Sequence, residues 1–387
     1  MVSQPLYDLS PVLQLLLVGL LLALVPVGWL WLRHRRQSPA QWLRRLTLLT
    51  LFLTFDLVVF GAFTRLTDSG LGCPDWPGCY GSASPVGAKA PISAAQAAMP
   101  SGPVTHTKAW IEMIHRYLAT AVGALILAMT LLSWQQRNKS TSGTSGVGWG
   151  WPLATLIWVC IQGAFGALTV TMKLFPAIVT MHLLGGLFLL VLLTVQAERL
   201  QRIDQALQRS TVDQLTRGVL LAACSVLAVQ IALGGWVSTN YAVLACTDFP
   251  KCQGSWWPPM RFDQAFQFWR ALGQTPDGDN ISFAALTAIH FVHRAFAVVV
   301  VMVLVWLVWR LRMVAALRPV AGGIAALLVL QLTTGLANVV LGWPLLAAVL
   351  HTSGAAALVV LLTWAASRTS PAPAGVHLRW PAPTVSA

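Results

Sequence analysis

Nine long apolar stretches run through this 387-residue chain, at about residues 13–32, 45–64, 108–133, 152–171, 177–196, 217–237, 283–309, 320–341 and 345–366. Each matches or exceeds the ~20 residues an α-helix needs to cross a hydrocarbon core roughly 30 Å thick. A segment in lipid must satisfy its backbone hydrogen bonds internally, which leaves helices as the solution for runs of this length. Only 10% of the residues are charged, against about 25% in soluble domains. An all-α polytopic membrane protein is the class these features define.

The net charge of +13 invites a nucleic-acid reading, but its distribution argues against one. With the N-terminus outside, 16 of the 25 Lys and Arg fall in cytoplasmic loops, among them "RHRR" at 33–36, and seven in the longer outer loops. That is the positive-inside bias, so the basicity reports topology. The first apolar run is too long and too late for a cleaved signal and carries a stop-transfer flank. With no Arg/Ser-rich presequence ahead of it, a bacterial plasma membrane is the expected location, with the C-terminus in the cytoplasm.

A repeat organises the rest. "CPDWPGCYG" (73–81) answers "CTDFPKCQG" (246–254), and the match continues on both sides. "GAFTRLTDSGLG" (61–72) answers "GGWVSTNYAVLA" (234–245), "IEMIHRYLATAVG" (111–123) answers "IHFVHRAFAVVVV" (289–301), and "QGAFGALTV" (162–170) answers "QLTTGLANV" (331–339). "PAIVTMHLLGG" (176–186) answers "PLLAAVLHTSG" (344–354). Each half is a four-helix unit with a cysteine loop between its first two helices, and an even number of spans makes the halves parallel, related by a pseudo-twofold axis along the membrane normal. The expected organisation is an extra N-terminal helix with its basic flank (1–44), two four-helix bundles (45–200 and 201–366), and a polar tail (367–387).

Both cysteine loops fall on the outer, periplasmic side, where disulfides persist. Cys73 with Cys79, and Cys246 with Cys252, are close enough to bridge across a Pro-containing turn. Structural staples, redox-cycling pairs and a zinc site all remain open at this level. Cys160 and Cys224 lie mid-helix, where the expected role is that of small buried hydrophobes.

Of the eight histidines, His34 and His377 lie in polar flanks and His106 at a helix end. Four of the remaining five match across the repeat: His115 with His293, and His182 with His351. An ionisable group inside an apolar helix is expensive and marks function. At 1.5 Å per residue all four fall near one depth in the outer half of the membrane. Two histidines at matched depth on two helices of one bundle can offer axial ligands to a haem; for a lone histidine, helix–helix hydrogen bonding would serve as well. Arg116 and Arg294 follow their histidines and reach either toward propionates or toward lipid headgroups.

The halves differ at one position. Glu112, one of only two glutamates in the chain, stands one turn before His115, where the second half has His290. At i, i+3 it shares a face with His115, and a carboxylate there can exchange protons with a substrate or hold the histidine in one tautomer. Arg65 and Asp68 likewise correspond to Ser238 and Tyr241.

"GAFTRLTDSGLGCPDWPGCYG", "EMIHR" and the paired histidines together resemble the haem A synthase family, of the bacterial type with a cysteine pair, over about residues 45–366. The resemblance implies eight helices in two pseudo-symmetric bundles and oxidation of the C8 methyl of haem O to the formyl of haem A through a hydroxymethyl intermediate. It implies haem b on His293 and His351 in the second half. It further implies the substrate haem on His115 and His182, with Glu112 as the essential acidic residue. Arg65 joins Arg116 and Arg294 as a candidate propionate contact. The ninth helix and the cysteine pair at 246 and 252 depart from or vary within the pattern. Expected partners are an unidentified electron acceptor and, by pathway logic, haem O synthase, oxidase assembly factors and a second copy of the chain. The rival readings are a di-haem b-type membrane cytochrome, which needs no carboxylate on one side only, and a haem or small-molecule transporter.

Overall fold

The computed structural model describes residues 10–137 and 148–372; most of the expected polar tail, with His377, lies outside the described residues, as do residues 1–9. In chain order the helices are α1 (Ser10–Arg33), α2 (Pro39–Leu66), α3 (Lys89–Ala98), α4 (His106–Arg137), α5 (Gly150–Thr171), α6 (Pro176–Gln205), α7 (Gln214–Thr239), α8 (Phe262–Ala265), α9 (Phe283–Arg312), α10 (Arg318–Val340) and α11 (Leu345–Arg368). All but α3 and the single turn α8 are long and apolar enough to cross a membrane, nine among the described residues. The all-α polytopic fold is therefore as the sequence predicts.

The helix starts follow ordinary capping chemistry. Ser38 Oγ accepts from Gln41 N at 3.3 Å, Asp213 Oδ1 from Thr216 N at 3.0 Å, and Ser282 Oγ from Ala285 N at 3.3 Å, each supplying an acceptor that the first helical turn lacks. Pro39 and Pro176 sit in first turns, where a missing N–H costs nothing. The helices overrun the apolar runs where polar side chains find partners. Thus α6 continues to Gln205 because Glu198 pairs with Arg202 at 3.5 Å and with Arg368 at 2.9 Å. One feature carries no sequence signal: β1 (Ser210–Val212) and β2 (Thr369–Pro371) form a short parallel pair that ties the start of α7 to the end of α11.

Packing arranges eight helices as two rings. In the first, α2 and α5 each pack against both α4 and α6, so α4 and α6 stand diagonally opposite. In the second, α7 and α10 each pack against both α9 and α11, which puts α9 and α11 on the diagonal. The rings meet where α2 and α6 face α7 and α11, around a shared cluster that includes Leu187, Leu190, Leu220, Leu227, Leu304 and Leu358. α1 lies outside the rings along α4. At Gly19 the two helices come close, because a Cβ there would fall 2.5 Å from Thr120 Cγ2. Small residues at such crossings let backbones approach, which is how helices associate in lipid.

Candidate functional site

The two cysteine loops have the same local build. Cys73–Cys79 and Cys246–Cys252 are each bridged, with Cα atoms 4.8 Å apart in both. Between the bridged cysteines, Pro77 and Pro250 follow cis peptide bonds. Asp75 accepts from Tyr80 N and Gly81 N, both at 2.6 Å, and Asp248 accepts from Gln253 N at 2.7 Å and Gly254 N at 2.9 Å. The glycines have φ of +70° and +73°, a region open to residues without a Cβ, which explains the shared "CxG" ending. Hydrogen bonds from the main chain of Gly254 and Gln253 hold the exposed Asp248 carboxyl below the usual carboxylate range.

The loops are then fastened to the helices that carry histidines. Glu112 of α4 is buried, at 4% exposure. Its Oε2 accepts from Cys73 N at 2.7 Å, and its Oε1 pairs with Arg116 one turn further on. Arg116 Nη1 also donates to the carbonyls of Asp75 at 2.9 Å and Pro77 at 3.1 Å. Carboxylate, guanidinium and disulfide loop therefore form one buried unit, and Arg116 is engaged by the loop. In the second half Arg294 Nη2 donates to Asp248 O at 2.9 Å and Lys251 O at 3.2 Å, but its Nη1 is buried without a hydrogen-bond partner. His290 occupies the place of Glu112 and is buried too. Arg65 donates to Ser238 O at 2.5 Å, pairs with Asp68 at 3.3 Å and lies over the Tyr241 ring at 4.0 Å. Asp68 accepts from Tyr241 Oη at 2.7 Å. Residues at matched positions of the repeat, 173 apart, thus touch each other.

The four histidines occupy the diagonals. His115 on α4 and His182 on α6 lie within electrostatic range of each other across the first ring, as do His293 on α9 and His351 on α11 across the second. Each ring lies against a glycine of the neighbouring helix. A Cβ at Gly61, Gly234, Gly335 or Gly166 would stand 2.9, 2.9, 3.2 or 3.4 Å from Cε1 of His115, His293, His351 or His182 respectively. All four rings are half-buried. The glycines cover Cε1 and, in the first ring, Nδ1 is wholly enclosed, so the accessible edge is the one carrying Nε2. Two imidazoles presenting Nε2 from opposite corners of a helix ring suit a flat metal-centred ligand between them, so the residues fit such a group.

The four glycines and the residues around Nδ1 are what the sequence reading missed. Gln230 Nε2 lies 3.2 Å from His293 Nδ1, and Thr334 Oγ1 lies 3.0 Å from His351 Nδ1. The signal was available: each glycine sits at a matched column of the repeat, Gly61 with Gly234 and Gly166 with Gly335.

The fold and these paired sites define the class, a multi-pass helical membrane protein with one diagonal histidine pair in each of two rings. Residues 44–363 match the cytochrome oxidase assembly protein family. The chain is 37% identical over 321 residues, 83% of its length and 94% of the relative's, to a protein of Shewanella oneidensis named heme A synthase. Proteins of the same name from Rhizorhabdus wittichii and Caulobacter vibrioides are 28% and 27% identical, over 86% of this chain and 94% and 96% of their own lengths. The chain belongs to the haem A synthase family of cytochrome oxidase assembly proteins.

Proposed function

We propose that this chain is a haem A synthase, a membrane oxidoreductase that converts the C8 methyl of haem O to the formyl of haem A. The first ring takes the substrate haem on His115 and His182; the second holds haem b on His293 and His351. The observation that carries this reading is the asymmetry between otherwise matched rings, since a carboxylate fixed by the cysteine loop stands one turn from a histidine in the first ring alone.

Haem b, when bound, supplies a one-electron carrier. The chain's own residues do the rest. His115 and His182 hold the substrate from two sides and set its plane, while Gly61 and Gly166 give their rings room. Glu112 is oriented by Cys73 N and Arg116, so protons released as the methyl is oxidised have a defined acceptor, the electrons passing to the separate electron acceptor, and the first disulfide loop governs where the carboxylate sits. Arg294, with its unpartnered Nη1, is the residue best prepared to meet a propionate in the second ring; Arg116 and Arg65 are already engaged. The touching pairs 65/238 and 68/241 support a pseudo-twofold axis passing between α2 and α7, since equivalent residues meet only near such an axis. The disulfides and the charge distribution support cysteine loops on the outer face of a bacterial plasma membrane.

The test is a host that makes haem O but no haem A. Expression of the chain should yield haem A or its hydroxymethyl precursor in acid-acetone extracts separated with mass detection. Glu112→Gln, which keeps an acceptor for Cys73 N, should abolish the product while the protein still accumulates. Bound haem b with haem O unchanged in the wild-type strain would instead identify a di-haem cytochrome.

A further inference from the structure

We propose that Gln230 and Thr334 are positioning residues that make the histidines of the second ring permanent ligands, whereas Leu57 and Phe165, at the matched positions, leave those of the first ring exchangeable. The inference rests on the haem-ligating reading above and adds the reason why one ring would retain its haem and the other turn it over.

The chemistry starts from the tautomer. An imidazole that binds a metal through Nε2 carries its proton on Nδ1, and an acceptor there fixes both the tautomer and the ring's orientation. Thr334 Oγ1 is suited to accept: it lies 3.0 Å from His351 Nδ1, and its own proton is directed to Leu330 O at 2.6 Å. Gln230 approaches His293 Nδ1 at 3.2 Å, and its Oε1 is buried without a partner. A half-turn of the amide places that oxygen on the Nδ1 proton, in exchange for the donation from Nε2 to His293 O at 3.2 Å.

The first ring has neither device. Aligning Gly61 with Gly234 puts Leu57 opposite Gln230, and aligning Gly166 with Gly335 puts Phe165 opposite Thr334. Nδ1 of His115 and Nδ1 of His182 are both buried with no hydrogen bond. The main-chain carbonyl of Gln162 lies beside His182 as that of Gln331 lies beside His351, so between these two the backbone contribution is common; the carbonyl of Gln230 lies beside His293. What differs is the side chain facing Nδ1, Thr334 and Gln230 in one ring, Phe165 and Leu57 at the matched positions of the other. A cofactor ligand gains from a fixed ring. A substrate ligand must release its haem once the product forms, and an unsupported imidazole releases it more readily.

The experiment uses the full chain purified in detergent with the haem b it carries. Haem is challenged with excess apomyoglobin, and the transfer rate, the low-spin electron paramagnetic resonance g values and the midpoint potential are read for the wild type, Gln230→Leu, Thr334→Val, the double variant and Thr334→Ser. Loss of an outer partner typically weakens metal binding by about 10–100-fold. The double variant should therefore lose haem b faster by a factor in that range, with shifted g values and potential, while Thr334→Ser stays near wild type. Transfer within twofold of wild type, with g values and potential unchanged, overturns the proposal and leaves the ligand assignment intact. A wild-type protein that holds no haem b, or a His293→Ala variant that holds it unchanged, overturns both.

Discussion

The glycine opposite His293 gives the sharpest single test of the site's geometry. In Gly234→Ala the new Cβ would lie 2.9 Å from His293 Cε1, whereas carbon atoms in contact rest about 3.5–4.0 Å apart. The imidazole must therefore give way by about 0.6 Å or more, which it can do by swinging about its χ angles. Metal–ligand distances tolerate only about 0.2 Å, so a displacement the fold accepts is one a ligand bond does not. Two energies then act on different observables. Alanine gains about 1 kcal/mol of helix propensity over glycine, while overpacking costs about 1–3 kcal/mol. Thermal stability should change by little, but haem occupancy should fall by tenfold or more, since each 1.4 kcal/mol is about a factor of ten. The assay is haem per polypeptide by pyridine haemochrome together with the bis-imidazole optical spectrum. Gly335→Ala, at 3.2 Å, should lose less, and the analogous Gly166→Ala in the first ring, at 3.4 Å, should leave the second ring's haem untouched. Full occupancy with an unaltered spectrum in Gly234→Ala would refute the idea that the glycine makes room for a ligating ring.

Other perturbations separate the roles of neighbouring groups. Glu112→Leu should destabilise far more than Glu112→Gln, by about 3–5 kcal/mol for breaking a buried ion pair, because it strands both Arg116 and Cys73 N; thermal unfolding in detergent decides this. Asp213 is partly desolvated, yet hydrogen bonds from Thr216 and the Arg310 guanidinium still hold its carboxyl below its ordinary value of 3.8. Because the folded form is the better acid, its contribution to stability is full above about pH 4 and is lost only as pH falls further; Asp213→Asn should flatten the acid limb of a stability–pH curve and leave pH 6–8 behaviour parallel to wild type. Gly19→Leu, which places bulk against Thr120, should detach α1 and expose it to limited proteolysis, with haem content in the second ring unchanged.

Much of the architecture was legible in the chain because lipid removes alternatives. A 20-residue apolar run has one way to satisfy its backbone, so span number and helix type follow from hydropathy alone, and the nine spans match the nine runs. The four histidines and Glu112 stood out for the same reason, being polar groups where polarity is costly. The direction of the Glu112 side chain did not. At i, i+3 from His115 and i, i+4 from Arg116, both neighbours were open to it, and the fold turned the carboxylate onto Arg116 and the Cys73 amide. Arg116 and Arg65 were candidates for a ligand anion by sequence, but the loop carbonyls, Asp68 and Ser238 O engage them first.

The sequence by itself determined the helices, the doubled loop, the residues able to do chemistry and the family to which the chain belongs, because each depends on local composition or on one-dimensional register. Only the tertiary structure decided which helices stand on the diagonals of the rings, which glycine faces which imidazole, and whether an Nδ1 meets Thr334, Gln230 or nothing. Those are contacts between segments tens to more than a hundred residues apart. They are set by how closely particular backbones approach in three dimensions, and nothing in the spacing of residues along one helix encodes that distance.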